Sequence, residues 1–253
     1  MDDPSRAAYA KLEAALAEMP RQVGAKPRAV LMVSAHWEED EFTLTSGARP
    51  PMIYDYGGFP DFTYHIRYDA PGDPALAART KALIESAGMP ARLDAARGFD
   101  HGAFTPLHVI YPDADVPVVQ LSLKTGLNPA MHIALGRAIA PLRDEGVLIV
   151  GSGLSYHNLR QFFSPRAYGP SREFDAWLNG VLLGGASGDR AKLLTGWEAA
   201  PSARAAHPRE EHLLPLMVAV GAAGDDMTEL AYHEKDFLGG ITVSSYRFLK
   251  SPL

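Results

Sequence analysis

Nine histidines are spread through this 253-residue chain, and four stand where imidazole can do chemistry. His36 follows an apolar run at 28–35 in "RAVLMVSAHWEED", and His157 follows a second run at 146–151 in "GSGLSYHNLR". His101 lies in "GFDHGAF", a glycine-flanked loop, and His212 in "HPREEHLLPL", on the first turn of an expected helix. Imidazole is the commonest protein ligand for transition metals and titrates near neutral pH. Two or three histidines with open positions can hold Fe(II) together with a chelating substrate and O2. One further, unligated histidine can move protons. Taken singly, a histidine at a strand end is more often a hydrogen-bonded polar group than a ligand. None of the four belongs to a short local motif such as H-E-x-x-H. His108 and His132 sit among apolar residues and read as structural, while His65 and His233 have no supporting context. Glu38, Glu39, Asp40 and Glu41 read as a solvated turn, with one acid able to orient His36.

The elements that must carry these residues follow from periodicity. Residues 28–35 are rich in Val and Leu and too short for a helix; 41–46 alternate like a half-buried strand. Residues 50–72, dense in Pro, Gly and aromatics, read as a long ordered loop. Helices are expected over 4–19, from Asp73 to Ala87, and over 129–143, 171–183, 188–196 and 208–222, the last opened by Pro208. "VPVVQLSL" (116–123), "GVLIVGSG" (146–153) and "GITVSSYRF" (240–248) read as strands. Strand–helix–strand alternation implies an α/β fold: one domain over 1–253, with a mostly parallel or mixed central sheet and helices on both faces. In such sheets ligands bind beyond the carboxyl ends of the strands, so His36 and His157 can converge.

Composition narrows the partners. A net charge of −6 with scattered Arg and Lys gives no reason to expect nucleic acid. Cysteine is absent, so neither a disulfide nor a thiolate ligand is available, which fits a cytoplasmic protein. No run of about 18 apolar residues occurs, so no membrane span is expected. The acidic, amphipathic start "MDDPSRAAYAKLEAAL" is not a signal peptide. "GSGLSY" lacks the third glycine of a dinucleotide loop and is not a G-x-S-x-G elbow.

Five blocks, in order, resemble the class III extradiol ring-cleavage dioxygenases: "VLMVSAHWEE", "YDYGGFPDFTYHIRYDAPGDPALA", "RGFDHGAFTPLHVIYPDADVPVVQLSL", "GSGLSYHNLR" and "HPREEHLLPL". The branch is similar to the 4,5-DOPA dioxygenase group, related to the catalytic subunit of protocatechuate 4,5-dioxygenase. The resemblance implies an enzyme that chelates a small catechol on a non-haem metal, Fe(II) or in some members Zn(II), and opens its ring with O2 beside the two hydroxyls. It implies His36 and His212 as metal ligands, His157 as the acid–base residue and a further candidate ligand, and His101 on the substrate side. Tyr54, Phe59 and His207 are implied to line the pocket. Arg67, Arg97 and Arg160 are each able to meet a substrate carboxylate, and nothing in the sequence ranks them. A homodimer is the working expectation for assembly.

The family opens with a short strand ending in "HGSPM", whose histidine is another ligand; the residues from Met1 match the helix after it. Three readings follow: a start placed too far downstream, a short variant using His36, His212 and His157, or a loss of tight metal binding. A zinc-dependent hydrolase and a non-catalytic binding protein on the same scaffold are the alternatives to ring cleavage.

Overall fold

The apolar run at 28–35 is a strand, but it does not stop before His36. In the computed structural model, which describes residues 7–184 and 187–249, β1 spans Ala29–Glu39. Ala29 to Val33 are fully buried. Each such Val, Leu or Met side chain contributes roughly 1.5–3 kcal/mol by leaving water. The strand lies between β4 (Val118–Lys124) and β5 (Val147–Ser152), parallel to both. With β2 (Phe42–Thr45) and β3 (Ala91–Asp94) it forms a mixed five-stranded sheet in the order β3-β2-β4-β1-β5. β2 runs parallel to β3 and antiparallel to β4.

Helices cover both faces, and the alternation along β1 shows why. Ala29, Leu31 and Val33 enter one apolar cluster, Val30 and Met32 the other. On the first face lie α2 (Pro74–Ser86), α4 (Pro129–Ile139), α5 (Tyr168–Leu183) and α8 (Leu214–Ala223). On the second lies α3 (His101–Ile110), with α1 (Ala10–Val23) packed on it. Two shorter helices, α6 (Ser187–Thr195) and α7 (Ala203–Ala206), connect α5 to the segment before α8.

Several boundaries differ from the periodicity. The helix Ala10–Val23 continues past Pro20 to Val23, where Gly24 takes a left-handed conformation (φ 80°) that closes it; positions 4–6 of the expected helix lie outside the described residues. α8 begins at Leu214, with Pro215 in its first turn, so Pro208 does not open it. Residues 208–213 are turns instead, and His212 sits in them. His101 is not in a loop but is the first residue of α3. The final strand, β7 (Ile241–Leu249), leaves the central sheet altogether and pairs antiparallel with β6 (Met227–Phe237) in a two-stranded sheet. β6 alternates too weakly between apolar and polar residues to be read as a strand.

Candidate active site

The position of His36 is set by a break in register. Val33 of β1 faces Leu121, but the next pairs are Glu38 with Leu123 and Glu39 with Lys124. Ser34 to Trp37 therefore stand opposite the single residue Ser122, a bulge that frees His36 from regular pairing. Bulges of this kind re-aim side chains next to functional sites. Ser34 anchors the bulge from beneath. Its hydroxyl donates to Asp100 Oδ1 (2.8 Å) and accepts from the His36 backbone N–H (3.1 Å). Asp100 is fully buried and is further held by Arg97 (3.2 Å) and Gln120.

Four imidazoles meet at the carboxyl ends of β1 and β5. The ring centroids of His101 and His36 are 3.9 Å apart, those of His36 and His212 4.9 Å, and those of His212 and His157 3.4 Å, the last pair stacked. A carboxylate closes each end of this row. Asp55 accepts at 2.8 Å from His101 Nδ1 and at 3.0 Å from the His101 backbone N–H. Glu211 lies 3.2 Å from His157 Nδ1. Because a carboxylate can only accept, Nδ1 of His101 and of His157 carries the ring proton and Nε2 keeps a free lone pair. His212 is arranged the other way. The Leu154 N–H donates to its Nδ1 (3.2 Å), so holding a metal through Nε2 would require the ring proton on Nδ1 and the loss of that bond.

Electrostatics favour neutral rings. Burial, then repulsion from His101, lowers the His36 pKa; burial, then repulsion from His157 and His36, pushes His212 far down. Burial would raise the carboxyl pKa values of Asp55 and Glu211, but hydrogen bonds from His101 and His157 outweigh it and hold both low. Neutral imidazoles and ionised carboxylates are the donor set a divalent cation needs. Ligand atoms of His36, Asp55 and His101 lie within 4.8 Å of one another, and those of His157, Glu211 and His212 do the same. The residues present fit a bound transition metal.

Glycine makes the approach of these segments feasible. A Cβ on Gly102 would lie 2.5 Å from Ser34 Oγ and 2.9 Å from His36 Cδ2; one on Gly153 would lie 2.2 Å from the His212 carbonyl oxygen. The "GSG" of the sequence is thus a point of close backbone contact rather than a phosphate loop. Gly102→Ala should displace the His36 ring. The expected result is a loss of about 1–3 kcal/mol in urea unfolding together with weakened metal binding by equilibrium dialysis.

Other residues singled out by sequence fall around this row. Tyr54 packs edge-on to Tyr56 and Phe104 and donates to the Ile66 carbonyl (2.7 Å). Tyr56 stands edge-on to His101 at 5.4 Å, and Phe59, 59% exposed, packs on Tyr56. His207 is not brought into the row. It is fully buried between Phe174 and Trp197, and its Nε2 donates to the Ser155 carbonyl (3.0 Å). The acids after His36 are not a free turn: Glu38 makes a bidentate pair with Arg209, and Glu39 binds Arg92 (2.7 Å) and the Trp37 indole (2.8 Å). The carboxylate next to His36 is Asp55, 3.8 Å away, from the aromatic loop. Asp55 and Glu211 were missed by sequence reasoning. Adjacency to His212 was a signal for Glu211; nothing local marked Asp55.

Burial lowers the His207 pKa to about 4. The folded state therefore refuses a proton that the unfolded state takes near pH 6.5. Stability is full above that value and is lost as pH falls towards 4, by about 3 kcal/mol from this group. His36, His132 and His212, also lowered by burial, act with the same sign. Urea titrations stepped from pH 7 to 4 should show a shallower decline for His207→Gln than for the unaltered protein.

Residues 2–249 match the family described as "Catalytic LigB subunit of aromatic ring-opening dioxygenase". The chain is 42% identical over 228 residues to a 4,5-DOPA dioxygenase extradiol of Beta vulgaris, covering 88% of this chain and 83% of that one. It is 39% identical over 203 residues to a 4,5-DOPA dioxygenase extradiol of Escherichia coli K12, covering 78% and 73%. A crystal structure of an uncharacterised protein from Escherichia coli K12 superposes with a TM-score of 0.74 at 31% identity, over 91% of each chain. Among the described residues no helix is long and apolar enough to cross a membrane.

Proposed function

The chain belongs to the family of catalytic subunits of aromatic ring-opening dioxygenases, and from that premise we propose that it cleaves the ring of a small DOPA-like catechol in the extradiol manner, with Fe(II) as its metal. The observation that carries this reading is the row of four imidazoles between two carboxylates at the strand ends. A bound Fe(II) supplies a Lewis acid and an electron relay between a chelated catechol and O2.

The chain's own residues supply the rest. His36 and His212 hold the metal, one from the bulge of β1 and one from the turns before α8. His157, its Nδ1 proton held by Glu211, offers Nε2 as the base that takes a catechol hydroxyl proton and later returns it. His101, fixed in the same tautomer by Asp55, accepts a hydrogen bond from a phenolic hydroxyl. Tyr54 and Phe59, through Tyr56, form the aromatic wall beside His101. His207, behind the row, supports the 155–157 turn through Ser155.

The test is anaerobic loading with Fe(II), then exposure to O2 with 3,4-dihydroxyphenylalanine, 3,4-dihydroxyphenylacetate and 4-methylcatechol. The expected result is one O2 consumed per catechol and the visible absorbance of a ring-opened semialdehyde. Zn(II)-loaded protein should be inert, because zinc has no redox chemistry. Iron-loaded protein that consumes no O2 with any of them would overturn the proposal.

A further inference from the structure

A cleft of about 470 Å³ opens beside His157, between the turn that follows it and the segment from Pro208 to Glu211. Its lining includes two guanidinium groups, Arg160 and Arg209, and one carboxylate, Glu211. These charges are not equally available. Arg209 spends both arms of its fork on Glu38 and has Glu211 at 3.7 Å. Glu211 is engaged with His157. Arg160 is exposed, and among the described residues it has no carboxylate partner. Beside it, Gln161 commits its side-chain oxygen to the Tyr156 hydroxyl (3.2 Å), and its amide NH2 has no partner among the described residues.

The other arginines able to meet a carboxylate are removed by their contacts. Arg67 is bidentate to Asp69 (3.0 and 2.6 Å). Arg97 is tied to Asp100 and stacked over Trp37, 4.2 Å from the ring centroid. The turn carrying Arg160 is also anchored rather than loose. The His157 N–H donates to the Ala206 carbonyl (3.0 Å), Asn158 Nδ2 to Ala205 (2.9 Å), and the Gln161 N–H closes on Asn158 (2.9 Å). A planar, always-charged fork on an anchored turn, three residues from the proposed acid–base histidine, is suited to a carboxylate on the far side of a small ring.

We propose that Arg160, seconded by the Gln161 amide, recognises a carboxylate on the substrate's side chain, so that the enzyme selects catechols that carry a side-chain carboxylate over those that lack one. This deepens the ring-opening reading and rests on it for the identity of the ring. Arg160 is a specificity residue, and it takes no part in bond making.

The experiment pairs binding with turnover. Anaerobic calorimetry on the Fe(II)-loaded protein compares 3,4-dihydroxyphenylacetate, 4-methylcatechol and dopamine, for the unaltered chain and for Arg160→Gln and Arg160→Lys. Arg160→Gln should weaken binding of the carboxylated catechol by about 10- to 100-fold relative to 4-methylcatechol, with Arg160→Lys in between. The ratio of kcat/KM values for the two catechols should fall by the same factor. Equal losses for all three ligands, or no loss, would overturn the role of Arg160. Tight Arg160-dependent binding without O2 consumption would keep this inference and sink the ring-opening reading, so the two failures are distinguishable.

Discussion

His36→Ala and His212→Ala should each abolish stoichiometric Fe(II) binding and lower catechol cleavage on the order of a thousandfold. The reason lies in the number and placement of neutral donors. His36 and His212 occupy the middle of the row, 4.9 Å apart, so each has another imidazole on its outer side. Removing either splits the row into a pair and a remnant. Burial keeps both rings neutral, so neither loses its lone pair to a proton at pH 7. The measurement is iron content by mass spectrometry after anaerobic loading and desalting, with O2 uptake on the same samples. Circular dichroism and urea unfolding separate a lost ligand from a lost fold. His36 sits on a bulge that Ser34 and Asp100 hold independently, so His36→Ala should remain folded. Full iron content and full turnover in either variant would remove that residue from the metal site.

His157→Ala should keep most of the iron and lose about 100- to 10,000-fold in kcat, the range for a positioned general acid–base group. Glu211→Gln should give a smaller loss, about 10- to 100-fold, because the amide still meets the ring but no longer prefers the Nδ1 proton. The pair of variants is informative together. In the proposed mechanism Glu211 fixes the tautomer and His157 moves the proton, so His157→Ala combined with Glu211→Gln should be no worse than His157→Ala alone. Iron loss in His157→Ala would place this residue among the ligands. Unchanged kcat with unchanged iron would refute its proton role.

The contribution of each residue was unevenly visible beforehand. The strand–helix rhythm around β4, α4 and β5 was legible because interior parallel strands read as largely apolar runs and their crossover helix as a 3.6-residue period. β6 was not, because its exposed and half-buried residues mix polar and apolar types without alternation. β7 was seen as a strand but not placed, since nothing local says which sheet an apolar strand joins. His36 looked like a residue after a strand; it lies within one, because the polar residues Ser34, Glu38 and Glu39 hide a strand whose bulge tolerates them. Asp55 was unreadable as a partner of His101 because 46 residues separate them and the aromatic loop that carries Asp55 has no period.

The order of residue types along the chain by itself determined the α/β class, the histidines at the ends of two buried strands, and the lack of any thiolate chemistry. Those follow from local periodicity and composition, which act over a few residues. Only the tertiary structure decided which histidines share a site, which nitrogen of His101, His157 and His212 keeps its lone pair, and which of Arg67, Arg97 and Arg160 is left without a carboxylate. These depend on distances between segments 50 or more residues apart, such as His157 with Glu211 and Arg209 with Glu38. Such contacts are set by how the sheet twists, bulges and packs, and no stretch of sequence carries that information alone.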